Sequence, residues 1–235
     1  MEDPLDGGTR LRTTPPEHRW PAAIGLFGAL ALYWFLPNEL LGVQRYVVVG
    51  IGFVLMVPLI IVNPQHLTKQ TPWSRAVSVG LAALLVVANQ VTLVLLILQL
   101  VQASPEALWL LIAALQVWVA NVIGFALLFW ELDRGGAVRR TTEPRSELPP
   151  ADFRFSQDED DDAVAEVAAR SSAVQDWTPR FFDYLYTSLS NAMAFSATDA
   201  MPLSPRIKLL MGVQAFGCFV ILALVIARSV NIIAS

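Results

Sequence analysis

Five residues near the C-terminal end carry groups that could contact an ion or a polar solute: Asp183, Asn191, Ser196, Thr198 and Asp199. They supply carboxylates, an amide and hydroxyls around a Ser/Thr/Asp/Pro break in the helical pattern, just ahead of a long apolar run. Oxygen atoms held at such a break can replace part of a cation's hydration shell. The same groups also suit architecture. Asp199 or Ser204 can accept orphan N–H groups at a helix start, and Asp183 can pair with Arg180 or Arg206. A second set, Asn89, Gln90, Gln116 and Asn121, lies inside two apolar blocks. Amides in such positions either line a solute path or join helices through hydrogen bonds. Neither block has an ionisable residue near its middle, which argues against proton-coupled transport.

Enzyme chemistry finds little support. His18 falls in an N-terminal tail and His66 in a short loop, and neither has the companions of a metal site. The acidic run Asp158, Glu159, Asp160, Asp161, Asp162 lacks the calcium-loop pattern and reads as part of a solvated linker. Cys218, the single cysteine, lies in an apolar run and reads as a packing residue. The expectation is no catalytic site, no cofactor and no metal.

The elements that would position these residues are membrane helices. Of 235 residues, 55% are hydrophobic and 15% charged, against about 25% charged in soluble domains. The apolar residues fall in long blocks, about Pro21–Leu36, Tyr46–Val62, Ala76–Val101, Leu108–Trp130 and Ile207–Ile232. A bilayer core requires about 20 such residues. Trp20, Tyr33 and Trp34 suit the headgroup region. A shorter, semi-polar helix over Arg180–Ala194 is a poor lipid-facing span and fits a re-entrant or interfacial position. The expected fold is therefore an all-α membrane protein of about five transmembrane helices plus one short re-entrant or interfacial pore-like helix. Residues 1–19 read as a flexible tail without the pattern of a cleaved signal, 20–130 as a four-helix transmembrane region, and 131–179 as a polar acidic linker. That linker includes a short surface helix near Asp160–Gln175, and 180–235 forms the C-terminal region. Arg10, Arg12, Arg19, Lys69, Arg75, Arg134, Arg139 and Arg140 share one side of this arrangement, which predicts a cytoplasmic N-terminus.

The C-terminal stretch FFDYLYTSLSNAMAFSATDAMPLSP, closing with LVIARSVNII, resembles the pore domain of two-helix potassium channels. It is also similar to an uncharacterised bacterial multipass membrane-protein family with a channel-like C-terminal region. The resemblance covers about residues 177–235. It implies a pore helix, a filter position and an inner helix in a bacterial inner membrane. At the filter position the chain reads Ala194-Phe195-Ser196-Ala197-Thr198-Asp199. Ser196 and Thr198 stand where the family has glycine, whose permissive backbone aims successive carbonyls at the ion. The family enters its pore from outside, whereas the charge bias places Asp199 inside. The function expected is an oligomeric, nonconducting channel-like scaffold, with a nonclassical ion channel and a small-solute transporter as alternatives. Its implied partners are membrane lipids, further copies of the chain and a monovalent cation, without nucleic acid.

Overall fold

The computed structural model describes residues 15–37, 42–62, 66–101, 107–159, 164–193 and 200–234. Four helices lead the chain: α1 (Trp20–Trp34), α2 (Gln44–Val62), α3 (Pro72–Val101) and α4 (Ala107–Leu132). A polar segment follows with α5 (Ala137–Thr142), strand β1 (Phe153–Phe155) and the one-turn helices α6 (Ala165–Ala168) and α7 (Ser172–Gln175). The chain closes with α8 (Phe181–Ala192), strand β2 (Ala200–Pro202) and α9 (Pro205–Ala234).

Among the described residues, three helical stretches are long and apolar enough to cross a membrane: Pro72–Val101, Trp109–Gly135 and Pro205–Val230. The helices α1 and α2 are apolar but shorter. At 1.5 Å per residue, the 15 residues of α1 reach only about 22 Å. Helix α4 is the centre of the bundle and packs against α1, α3, α8 and α9. Its most apolar window is 61% buried, against 28% for α9, so α9 stands at the periphery. Trp20 and Trp34 are exposed, as headgroup-facing rings should be, but Tyr33 is 1% exposed and belongs to the core. Its ring packs with Leu93, Leu96 and Ala113, where a half-polar aromatic fills bundle space instead of meeting the interface.

The described residues of 131–179, which leave out 160–163, are not a solvated linker. They fold into a cap over one end of the bundle, because three aromatic residues among the charges supply an apolar anchor. Phe153 stacks edge-on against Phe129 of α4 at 5.3 Å. Phe155 meets Tyr184 at 5.5 Å and Trp177 at 5.7 Å. Strand β1 pairs antiparallel with β2, placing Phe153 opposite Pro202 and Phe155 opposite Ala200. The expected helix near Asp160–Gln175 reduces to α6 and α7 where the chain is described, separated by a turn before Ser171, which caps α7 through its hydroxyl. The end of the N-terminal tail is also folded. Glu17 is buried, and His18 bridges to His66 with ring centroids 4.2 Å apart.

The path of α8 follows from its contacts. At its start, Phe181 lies against Trp130 at the capped end of α4. Two turns later the Ser188 hydroxyl donates to Val122 O, deeper along the same helix. The chain is back at the cap by Ala200, which pairs with Phe155. Helix α8 therefore enters the bundle from the capped end, and Ala200 lies at that same end. The 12 residues of α8 are too few to span, at about 18 Å.

Candidate functional site

Two polar constellations lie in this framework, one inside the bundle and one under the cap. Inside, the Asn121 amide of α4 donates to Asn89 Oδ1 at 2.9 Å and to Gln90 Oε1 at 2.8 Å, both on α3. Asn89 in turn donates to Val117 O at 3.1 Å. Cys218 of α9, fully buried, lies 3.4 Å from Asn121 Oδ1, which ties the last helix to the same point. Gln116 is half-buried and does not join these amides.

Helix α8 is joined to α9 in the same manner. Asn191 donates to Met211 O at 2.9 Å and to Gln214 Oε1 at 2.8 Å. Gln214 is fully buried, and its amide donates to the Ser188 hydroxyl at 2.7 Å. The hydroxyl in turn donates a hydrogen bond to Val122 O. A buried amide without partners costs several kcal/mol in an apolar setting, so this closed chain explains how a half-polar helix rests between α4 and α9. Ser188 and Gln214 did not stand out in the sequence. The signal was the i, i+3 spacing of Ser188 and Asn191 on a semi-polar helix, which places both on one face.

Asp183 has an architectural position. Its carboxylate accepts from Arg180 N at 2.6 Å, closing the first turn of α8. Arg206, the other partner considered for it, instead forms a two-pronged pair with Asp152. Ser196, Thr198 and Asp199 lie outside the described residues.

Under the cap is a cluster of buried charges. The chain after α4 turns through Arg134, at φ 50°, and Gly136, at φ 94°. The turn needs glycine at 136 for its backbone shape, and a side chain there would also push aside the tip of the Arg75 guanidinium, 2.6 Å away. The last carbonyls of a helix have no partner within it, and here arginines serve them. Arg140, fully buried, donates to Trp130 O at 2.7 Å, Asp133 O at 3.1 Å and Pro179 O at 3.0 Å. Its guanidinium lies 5.0 Å over the Tyr184 ring and 3.8 Å from the Glu17 carboxylate. Arg75 donates to Gly135 O. Glu17 accepts from Phe181 N at 2.7 Å and from the Trp130 indole at 3.1 Å, so it joins tail, α4 and α8. Asp133 accepts from Asp152 N at 2.7 Å and from the Tyr184 hydroxyl at 2.5 Å. Burial pushes the Tyr184 phenol well above its ordinary value near 10, and the neighbouring Asp133 adds to the rise against the opposing pull of Arg140 and Arg134. Arg134 completes the cluster by pairing with Asp158 and donating to Phe153 O.

A half-open cavity of about 90 Å³ adjoins this cluster between α1, α2, α3 and α4. Arg19, Lys69, Arg75 and Glu131 border it at the capped end, and Leu26, Met56 and Leu85 line its inner part. Glu131 accepts from the Ser78 hydroxyl at 2.5 Å. Among the described residues, no group of three His, Cys, Asp or Glu side chains is placed to hold a metal ion.

Together these features define a mostly α-helical protein that has, among its described residues, three helices suited to crossing a membrane, a short helix packed between α4 and α9, and a polar cap fastened by buried charges. Comparison with protein-family models, with curated proteins and with solved structures finds no match for the chain.

Proposed function

We propose that the protein is an oligomeric membrane scaffold with five spanning helices and a channel-like C-terminal hairpin that does not conduct. The observation that carries this reading is the closure of the internal polar groups on one another. Asn89, Gln90 and Asn121 form one hydrogen-bonded set, and Ser188, Asn191 and Gln214 form another. Groups spent on helix-to-helix bonds act as glue, not as a hydrated path. The cap and the arginines at its base face the cytoplasm in this reading, in agreement with the bias of positive charge. Helix α9 gives the contact between copies, since Leu209, Val213, Phe216, Phe219 and Ile226 are all exposed along it.

One observation favours a second reading, a nonclassical channel for a monovalent cation near residues 194–199. The short helix α8 is bonded to the long apolar α9 through Ser188, Asn191 and Gln214, and a short helix ahead of a long one is the order of a pore helix and an inner helix. Ion flux in proteoliposomes separates the two, comparing wild type with Asp199→Asn and Ser196→Ala at equal incorporation. The scaffold predicts a stable oligomer with no flux of any monovalent ion. Selective flux altered by either substitution would replace it with the channel, and saturable solute counterflow would replace it with a small-solute transporter.

A further inference from the structure

The cavity at the capped end is basic at its mouth and apolar at its base, and neither internal polar set uses it. Three cations border it: Arg19 at the start of α1, Lys69 before α3 and Arg75 in the first turn of α3. One carboxylate, Glu131, lies among them, so the border carries a net charge of about +2 at neutral pH. Gln70 adds a carbonyl oxygen, buried and without a hydrogen-bond partner among the described residues, while its amide nitrogen donates to Gly135 O at 3.3 Å. Below them the wall is Leu26, Met56, Leu59, Leu81 and Leu85.

The depth of the cavity indicates what it takes. Along α3 the lining runs from Ser74 to Leu85, a rise of about 16 Å. That is roughly half of a 30 Å hydrocarbon core, the extent of one leaflet. A free anion would use the mouth and leave the apolar base unfilled. Arg19 also donates to Leu59 O and Arg75 to Gly135 O, but their charge still favours an anion, and a neutral hydrocarbon would leave the Gln70 oxygen without a donor. An amphiphile with an anionic head and an acyl tail satisfies both parts.

We propose that this cavity binds an acidic phospholipid from the leaflet on the capped side. The phosphate lies among Arg19, Lys69 and Arg75, and a headgroup hydroxyl donates to Gln70 Oε1. About 90 Å³ is far less than the roughly 300–1,000 Å³ of pockets that engulf a whole ligand. The cavity therefore takes the head and the first carbons of one chain, and the rest of the lipid stays in the bilayer. This site rests on membrane insertion and not on the scaffold reading, because a channel or a transporter could carry it equally well.

The test uses the full-length protein in nanodiscs of phosphatidylcholine doped with phosphatidylglycerol, with bound lipid counted by native mass spectrometry. A preference for phosphatidylglycerol over phosphatidylcholine is expected. It should weaken about fivefold for each charge removed in Lys69→Gln and Arg19→Gln. Ala82→Phe, which blocks the apolar part while leaving every charge, should also reduce retention. Thermal unfolding of wild type, raised by phosphatidylglycerol and not by equimolar phosphatidylcholine, provides a readout that needs no variant. Equal retention of the two lipids would overturn the proposal. So would displacement by millimolar inorganic phosphate together with indifference to Ala82→Phe, which would assign a free-phosphate site instead. Co-fractionation with vesicles, independent of headgroup, reports insertion separately.

Discussion

Removal of the Arg140 side chain should uncouple the cap from the bundle. The guanidinium is fully buried and holds three backbone carbonyls, those of Trp130, Asp133 and Pro179. Bonds of this kind contribute about 1.5–3 kcal/mol each when measured singly, but three on one side chain do not simply add. Truncating one member of a buried ion pair gives a better bound, about 3–5 kcal/mol, because the partner keeps its charge without compensation. Arg140→Ala leaves Glu17 in that condition and strips donors from the end of α4, so we expect a loss of about 3–5 kcal/mol. Arg140→Lys keeps the charge, yet a compact ammonium cannot reach three carbonyls set around a planar fork. Its expected loss is about 1.5–3 kcal/mol, that of one or two bonds. Chemical unfolding in mixed micelles, followed by tryptophan fluorescence, reads both variants. Limited proteolysis within residues 143–175 should accelerate in Arg140→Ala before the bundle helices unfold. A loss below about 1 kcal/mol for Arg140→Ala, inside the range of an exposed ion pair, would refute the reasoning. Equal stability of Arg140→Lys and wild type would refute the account of the fork.

Three further outcomes follow from the same geometry. Asn121→Leu should destabilise the α3–α4 contact by about 0.6 kcal/mol and at most about 1.7, the range for hydrogen bonds between membrane helices; a double-mutant cycle with Gln90→Leu measures the coupling. Tyr184→Phe should cost about 1.5–3 kcal/mol at pH 8 through the lost bond to the Asp133 carboxylate. Because the folded phenol titrates above its ordinary value, its contribution is complete below pH 10 and declines as pH rises above that. Wild type should therefore lose more stability than Tyr184→Phe between pH 8 and 10.5, as unfolding curves at both values will show. Gly136→Ala should cost about 1–3 kcal/mol, since it adds left-handed strain and pushes aside the tip of the Arg75 guanidinium; thermal unfolding of the variant checks this.

Of the five apolar blocks, three were legible as helices long enough to cross a membrane, because a long continuous apolar block has few uses other than lipid, and the first two form shorter apolar helices. The short helix α8 was legible as a helix too brief to span, from its length and from Asp183 and Asn191 within it. The internal amides could be named, but not paired. Asn89, Gln90, Gln116 and Asn121 look alike in sequence, and only helix rotation separates Gln116 from the rest. The cap was misread for a physical reason. A charged residue reads as solvated unless its partner is known, and the partners here are remote in the chain: Asp133 with Tyr184, Arg206 with Asp152, Arg140 with Glu17. Phe153, Phe155 and Trp177 were the visible signal that this segment had something to bury. Tyr33 was misplaced because an aromatic ring near a helix end suits both the core and the headgroup layer.

The bond from Phe181 N to Glu17 joins residues separated by 164 positions. Ribosomes add roughly 5–20 residues per second, so at those rates Glu17 waits about 8–33 s for its partner to be synthesised. During that interval the leading helices can enter the bilayer while the end of α4 still lacks its lid. Quality control that senses exposed polar groups at a membrane surface would thus have a fixed window on this chain, closed only when α8 arrives. A ribosome stalled before residue 181 would leave a product that is inserted but permanently unlatched, and cellular half-lives of such truncated chains should set them apart from the full-length protein.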